Sequence, residues 1–189
     1  PGFTITTDVC THYYNNDLHF PDELDSQVAE ALGATEHIMG TYFADVDDPL
    51  LVSVRSGARS SMPGMMETVL NVGLTTFTIP GLIKKTNNPR FVYDAYRRLI
   101  MMYADVVMEK AAGIEPENGI GIRQKLETIL KDYKEQNSCL ADTDLSAEDW
   151  QALSDLFKSE IQSTLGSEFP EDPMKQLWGG IKAVFQSWN

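Results

Sequence analysis

The sequence changes character at Pro80, and this change constrains the fold more than any other feature of the chain. Before Pro80, short β-favouring segments alternate with turns and one amphipathic stretch. After it, long amphipathic segments follow one another, each with a helix-start signal. Asn, Ser or Asp before the first helical residue, often with Pro next, suits the N–H groups that a helix start leaves unpaired. The signals are Asn88-Pro89, Ser146 with Asp149 three residues later, and Asp172-Pro173.

The second part of the chain is therefore predicted to be helical. Apolar residues recur there at three- and four-residue spacing, which places them on one helix face. The last segment carries an apolar stripe from Leu177 to Trp188, which favours a place in the core over a cofactor site. Helices are predicted from Asn88 onward, over Ile122 to about Tyr133, from Ser146 to Gly166, and from Asp172 onward, with a loop over Ala111–Gly121.

The first part mixes strands and helix. Alternating β-branched residues predict a strand over Phe3–Thr7 that ends at Asp8. A helix is predicted from Pro21 to about Phe43, a buried strand over Leu50–Val54, a helical turn over 67–73 and a β-rich piece over 75–79. The aspartates between the helix and the Leu50 strand predict a solvated acidic turn, with a metal role as the alternative.

These patterns predict an α+β fold with a small β-containing lobe and a mostly helical inserted subdomain. Proline and glycine cluster at Pro80-Gly81 and again over Gly166–Pro173, where domain boundaries are expected. Residues 1–81 and 169–189 would form the α/β lobe, and residues 82–168 the helical subdomain.

Composition excludes several classes of function. The net charge of −13 argues against a general nucleic-acid-binding surface, which needs a basic face. The three histidines show no metal-binding pattern, and Cys10 and Cys139 are interpreted as free thiols, with a disulfide as the alternative. No apolar run approaches membrane-spanning length and no secretory signal is visible, so neither a membrane partner nor secretion is expected. A start at Pro1-Gly2 suggests an excised or processed product.

The segment from Leu50 to Asn71 carries most of the functional information. A short apolar run is followed by Arg55, Gly57 and Arg59, and then by a Met-Pro-Gly-Met-Met tract. Glycine lets a backbone approach a ligand closely, and arginine can bind phosphate oxygens with two parallel hydrogen bonds. This composition favours an anion site, while an ordinary loop with solvated arginines is the alternative. The sequence shows no recognisable pattern of a nucleophilic catalytic triad.

Arg97 and Arg98 are a second point of interest, inside the helix that starts at Asn88. Adjacent helical residues point about 100° apart, so the two side chains face different surroundings. One could lie along the surface while the other reaches a partner, and two solvated arginines are the alternative.

Four stretches closely resemble pyruvate, phosphate dikinases. They are VSVRSGARSSMPGMMETVLN at 52–71, NPRFVYDAYRR at 88–98, AVFQSWN at 183–189 and PGFTITT at 1–7. The resemblance spans nearly the whole chain and is less certain in register only over about 111–140. The Ser-Gly-Ala-Arg and Met-Pro-Gly-Met-Met forms distinguish this family from the related phosphoenolpyruvate synthases.

The resemblance implies a partial ATP-grasp fold, within the N-terminal nucleotide-binding domain of a much longer enzyme. Such enzymes interconvert ATP, phosphate and pyruvate with AMP, pyrophosphate and phosphoenolpyruvate through a phosphohistidine on another domain. ATP with Mg²⁺ and that phosphohistidine domain are the implied partners, and the parent enzyme is expected to be a homo-oligomer. The implied ATP- and phosphate-binding residues are Arg55, Arg59, Gly64, Met65, Met66 and Arg98, with Gly64 and its neighbours closing over the phosphates.

Other parts of the family pattern are missing from this sequence. An upstream glycine-rich segment with an ATP-binding lysine, downstream strands with metal- and nucleotide-supporting residues, and the phosphohistidine motif are not present. No catalytic residue and no metal ligand is therefore expected in the chain, which alone is expected to be inactive. The alternatives are a non-catalytic helical interaction module over 88–165 and a phosphoenolpyruvate synthase-type domain. The expected compartment is the cytoplasm or an organelle such as a chloroplast or glycosome.

Overall fold

The computed structural model describes residues 1–57, 68–116 and 119–188, and it is mostly helical with two small sheets. This composition confirms the α+β class. The strands are β1 (Tyr42–Phe43), β2 (Pro49–Leu50), β3 (Val52–Val54) and β4 (Val69–Val72). The helices are α1 (Thr7–Asn15), α2 (Leu24–Met39), α3 (Ile79–Thr86), α4 (Pro89–Tyr103), α5 (Ile122–Gln136), α6 (Ala147–Leu165) and α7 (Pro173–Gln186).

The predicted strand at the N-terminus is wrong. Residues 1–6 lie in neither a helix nor a strand, and α1 begins at Thr7, so Asp8 is helical. Alternation of β-branched residues favours a strand only where a neighbouring strand supplies hydrogen bonds, and this segment pairs with no strand of the described residues. The predicted helix ending near Phe43 also ends earlier, because Gly40 takes the left-handed conformation and caps α2.

The strands pair in two separate sheets. Strands β1 and β2 are parallel, with Phe43 opposite Leu50, and β3 and β4 are antiparallel, with Val54 opposite Val69. The predicted Leu50–Val54 strand is thus divided between two sheets at Leu51. The acidic turn is present, and Asp45 accepts hydrogen bonds from the backbone N–H groups of the two residues that follow Val46.

Two predictions between Thr68 and Ile79 are wrong. Val69–Val72 is strand β4 and not part of a helical turn, because both valines are fully buried against β3 and the core. The predicted β-rich piece is a turn that leads into α3. Hydroxyl groups replace strand hydrogen bonds there, since Thr75 and Thr78 satisfy each other's backbone N–H groups.

The predicted helix caps are confirmed. Asn88 accepts a hydrogen bond from the backbone of Phe91 at 3.0 Å, and Ser146 forms a reciprocal capping box with Asp149. Asp172 accepts from two N–H groups at the start of α7, and Gly166 ends α6 in the left-handed conformation.

Helix α4 continues into a π-helical segment, Ala104–Lys110, that carries two buried carboxylates. Glu109 accepts a hydrogen bond from the backbone N–H of Ile122 at 2.7 Å and so caps α5 from outside that helix. Asp105 pairs with Lys110 at 2.9 Å and with Arg123 at 3.4 Å. The predicted loop between this segment and α5 agrees with the residues described there.

One continuous hydrophobic cluster runs through the described residues. Helix α4 packs against α6, and the turn before α7 joins the helical part to the sheet region. Glu171 in that turn accepts from the hydroxyl of Tyr96, from the backbone N–H of Thr76 at 2.9 Å and from Lys158 at 3.3 Å. The division into residues 1–81 with 169–189 and residues 82–168 stays a prediction.

Candidate anion-binding groove

A groove of about 780 Å³ opens beside the β3–β4 sheet. The N-terminal segment, the chain from Leu50 to Gly57, and one side of α7 form its walls. Its lining is largely apolar, with the guanidinium of Arg55 and the hydroxyl of Ser56 among the polar groups. The side chains contributed by helices include Cys10, Leu32, Thr35, Leu177, Ile181 and Phe185.

The end of β3 is held by close packing on both sides. Strand β4 lies along one edge, and α7 crosses next to Val54. The approach of α7 depends on Gly180, because a Cβ atom there would lie 3.2 Å from Cγ2 of Val54. A fixed strand end gives the residues that follow it a defined direction, which is why Arg55 reaches the groove.

Arg55 is the one cationic side chain among the described residues that line the groove. Its side chain is exposed and forms no ion pair with a carboxylate in residues 1–57, 68–116 or 119–188. Ser56 is half-buried, and its hydroxyl accepts a hydrogen bond from Nε1 of Trp188 at 2.9 Å. A guanidinium, a hydroxyl and the backbone at Gly57 therefore follow one another at the groove wall, and each can contact an anion.

Arg98 lies elsewhere, on α4, and is not among the residues that line the groove. Its side chain is 64% exposed and pairs with Asp94 at 3.0 Å. Arg97 is only 9% exposed, bonds to Asp94 and Asp142, and stacks over the ring of Trp150. The alternative of two solvated arginines is therefore wrong, because Arg97 belongs to the interior.

The other candidate ligand residues, Arg59, Gly64, Met65 and Met66, lie outside the described residues. Cys10 lines the groove as a free thiol, and burial raises its pKa above the usual value. A raised pKa favours the neutral thiol, which is a weak nucleophile. Cys139 is also free, so the prediction of two free thiols is confirmed.

Two contributors to the groove were missed by sequence reasoning. The N-terminal segment lines the groove as irregular chain where a strand was expected. Trp188 was assigned to the core stripe of α7, but it follows the end of that helix and is 42% exposed. Its spacing of three from Phe185 fits the stripe, so no local signal separates the two roles.

Neither a metal-binding cluster nor a membrane-spanning helix occurs in the part of the chain that the structure describes. No group of three or more histidine, cysteine, aspartate or glutamate side chains lies close enough together there to hold a metal ion. Asp45 is engaged by backbone N–H groups, and these hydrogen bonds lower its pKa. Among the described helices, none is long and apolar enough to cross a membrane.

Comparison with known proteins shows similarity along the whole chain. No family model matches the chain, but curated relatives match it along its whole length. It is 47% identical over 189 residues to pyruvate, phosphate dikinase of Clostridium symbiosum and 45% identical over 188 residues to that of Rhizobium meliloti. It is 43% identical over 189 residues to the chloroplastic pyruvate, phosphate dikinase 1 of Arabidopsis thaliana.

The chain spans about one fifth of the length of these relatives, namely 20%, 20% and 18%. At this identity the match confirms the resemblance read from the four motif stretches. The chain is therefore similar, along its whole length, to one region of these pyruvate, phosphate dikinases.

Proposed function

We propose that this chain forms part of the ATP-binding site of a pyruvate, phosphate dikinase, in which Arg55 binds ATP phosphate oxygens at the groove. The observation that carries the proposal is the position of Arg55. It is an exposed guanidinium at a fixed strand end, it pairs with no carboxylate of the described residues, and a hydroxyl and a glycine follow it. Its segment is one of those that resemble the family.

The chemistry of phosphoryl transfer fits such a site. The transferred group carries charge on several oxygens, and catalysis depends on positioning and neutralising that charge. A guanidinium supplies a planar fork of N–H donors that matches two phosphate oxygens, and the Ser56 hydroxyl can donate to a third. Mg²⁺ would be carried by the nucleotide and would neutralise part of the phosphate charge.

We propose Arg98 as a second phosphate contact, from the helical side, on the ground of the family resemblance, since Arg98 does not line the groove. The carboxylate of Asp94 already forms an ion pair with the buried Arg97. Arg98 pairs with the same carboxylate from the exposed side, so its own ion pair is the weaker one. An exposed i,i+4 ion pair contributes only about 0.5 kcal/mol, and a polyanion can therefore compete for Arg98. The segment with Arg59, Gly64, Met65 and Met66, which the resemblance implies in ATP binding, would then cover the phosphates.

The finer parts of the proposal concern the longer protein. The fold of the region would be a partial ATP-grasp domain, with residues 82–168 as its helical subdomain. The whole enzyme would interconvert ATP, phosphate and pyruvate with AMP, pyrophosphate and phosphoenolpyruvate through a phosphohistidine on another domain. This chain alone would bind nucleotide without completing that reaction.

Calorimetric titration with Mg-ATP tests the proposal. Arg55→Ala should weaken binding at least about tenfold, because it removes a charge-assisted bidentate contact, and Arg55→Lys should lose less. Lys131→Ala is the matched control, since Lys131 is 73% exposed on α5 and does not line the groove. The same substitution is made in the longer enzyme of which this chain is proposed to be a region. Unchanged ATP affinity in that enzyme would refute the role of Arg55.

A further inference from the structure

The stretch Ala183–Asn189 resembles the family as closely as the arginine segment does, yet the proposed function gives it no role. The structure joins the two stretches. The indole Nε1 of Trp188 donates a hydrogen bond to Oγ of Ser56 at 2.9 Å, across 132 residues of sequence. Ser56 is the neighbour of Arg55, so the closing motif contacts the anion-binding segment directly.

The indole is held in place by a firmly anchored helix. Buried Gln176 ties α7 to the sheet region, because its side chain accepts from the N–H of Gly73 at 2.9 Å and donates to the carbonyl of Leu74 at 3.2 Å. Near the other end of α7, the hydroxyl of Tyr14 donates to the carbonyl of Phe185 at 2.9 Å. Because α7 is anchored near both ends, the chain that carries Trp188 leaves the helix from a fixed position.

The bond itself is suited to orienting a ligand-binding group. Trp188 is 42% exposed, so its contact with Ser56 contributes little as a core contact. An indole N–H can only donate, and it occupies one lone pair of the Ser56 oxygen. The Ser56 O–H proton is then free to point toward an anion in the groove. The same bond holds the segment Arg55–Gly57 at its middle residue, Ser56.

We propose that Trp188 is a positioning residue, which sets the Arg55–Gly57 segment for phosphate binding through the hydroxyl of Ser56. This inference rests on the proposed function of Arg55. It predicts that the affinity for ATP depends on the indole N–H of Trp188, although this N–H donates to Ser56 and does not contact the phosphate oxygens. It also predicts that Trp188 senses the ligand, because its indole is bonded to a group next to the phosphates.

The first test measures affinity for Mg-ATP by calorimetry. Trp188→Phe keeps an aromatic ring but removes the donor, and it should weaken binding about 3- to 10-fold. Ser56→Ala should weaken binding at least as much, because it also removes the hydroxyl that donates to the phosphate. The double variant should be no weaker than the weaker single variant, since both remove the same bond. Ser56→Thr keeps the hydroxyl and should bind within about twofold of the wild type.

Trp178 provides the matched control. It lies on the same helix, packs on Phe20 with ring centroids 5.5 Å apart, and does not line the groove. Trp178→Phe should leave Mg-ATP affinity unchanged. Tryptophan emission should change when Mg-ATP is added to the wild type and to Trp178→Phe, but not to Trp188→Phe. This difference would place the indole next to the bound nucleotide, while the affinity of Trp188→Phe and the exchange measurement below test its positioning role.

The second test needs no ligand. Amide hydrogen exchange over Arg55–Gly57 should be faster in Trp188→Phe than in the wild type, and unchanged in Trp178→Phe. Equal exchange and equal affinity in the wild type and Trp188→Phe would overturn the inference, as would additive losses in the double variant. If Arg55→Ala weakens binding while Trp188→Phe does not, the inference fails and the proposed function stands. If Arg55→Ala changes nothing, the proposed function fails and the phosphate role of Trp188 fails with it.

Discussion

Arg97 and Arg98 are neighbours that differ in burial, so a comparison of the two tests how much burial increases the contribution of an ion pair to the free energy of unfolding. Both pair with Asp94, at 2.8 Å and 3.0 Å respectively. The Arg97 side chain is 9% exposed, bonds to Asp142 at 2.9 Å and lies 4.3 Å from the ring centroid of Trp150. The Arg98 side chain is 64% exposed. We predict that Arg97→Met lowers the free energy of unfolding strongly and that Arg98→Met does not.

The magnitude follows from the contacts. Removing one partner of a buried ion pair costs about 3 to 5 kcal/mol, because the other charge is left unpaired. Here each carboxylate keeps a second cation, since Asp142 retains Lys134 at 2.9 Å and Asp94 retains Arg98. We therefore expect Arg97→Met to lose about 2 kcal/mol of unfolding free energy from the ion pairs and about 1 kcal/mol from the stacking on the indole. Arg97→Met should thus cost about 3 kcal/mol, against about 0.5 kcal/mol for Arg98→Met.

Urea unfolding followed by circular dichroism measures both values. With a denaturant slope of about 2 kcal/mol per molar, the midpoint should fall by about 1.5 M in Arg97→Met and by about 0.2 M in Arg98→Met. Arg98→Met should in turn weaken Mg-ATP binding, since Arg98 is the proposed second phosphate contact. Equal midpoint shifts in the two variants would refute the reasoning from burial.

Three further predictions use the same unfolding assay. Ser146→Ala removes the hydroxyl that caps α6 and should cost about 1 kcal/mol; no loss would mean that the cap is dispensable. Gly81→Ala would place a Cβ atom 2.6 Å from a backbone oxygen of the acidic turn and should cost about 2 kcal/mol or more, whereas Gly33→Ala meets no atom within 4 Å and should not destabilise. The hydrogen bond from Lys134 lowers the pKa of Asp142 below its usual value of 3.8. The stability advantage of the wild type over Asp142→Asn should therefore be complete above that value and be lost as the pH falls through the lowered pKa.

Helix boundaries could be predicted from the sequence because capping is local chemistry. The side chains of Asn88, Ser146 and Asp172 act on N–H groups two or three residues away, so the pattern and the contact lie in the same short window. Gly40 ends α2 by the same kind of local rule. The prediction of a longer helix overlooked that residue, although its signal was present.

Strand β4 could not be predicted in the same way, because it depends on a partner that is distant in the sequence. Val69 and Val72 form a strand since β3 offers them hydrogen bonds and the core buries both side chains. Phe3–Thr7 has the stronger β-favouring pattern but pairs with no described strand. A strand of two to four residues has too short a pattern for periodicity to distinguish it from a turn.

For the candidate site as well, local features could be predicted and contacts between distant segments could not. The position of Arg55 directly after a strand could be predicted, because both features lie in one segment, although β3 is only half-buried where a buried strand was expected. The groove could not, because its walls come from the N-terminal segment, from β3 and from α7, which meet only in the folded chain. The contact of Trp188 with Ser56 is the clearest case, since 132 residues separate them.

The acidity of the chain predicts a particular salt dependence for ATP binding. At a net charge of −13, the chain repels a nucleotide at long range, while Arg55 attracts it within the groove. The Debye length falls from about 30 Å at 0.01 M salt to about 8 Å at 0.15 M, so added salt screens the distant carboxylates more than the contact itself. The association rate of Mg-ATP should therefore rise, by about threefold over this range, while the dissociation rate changes little. Stopped-flow measurement of tryptophan emission would show this, and an association rate that falls steeply with salt would mean that a basic surface, and not one local arginine, recruits the phosphates.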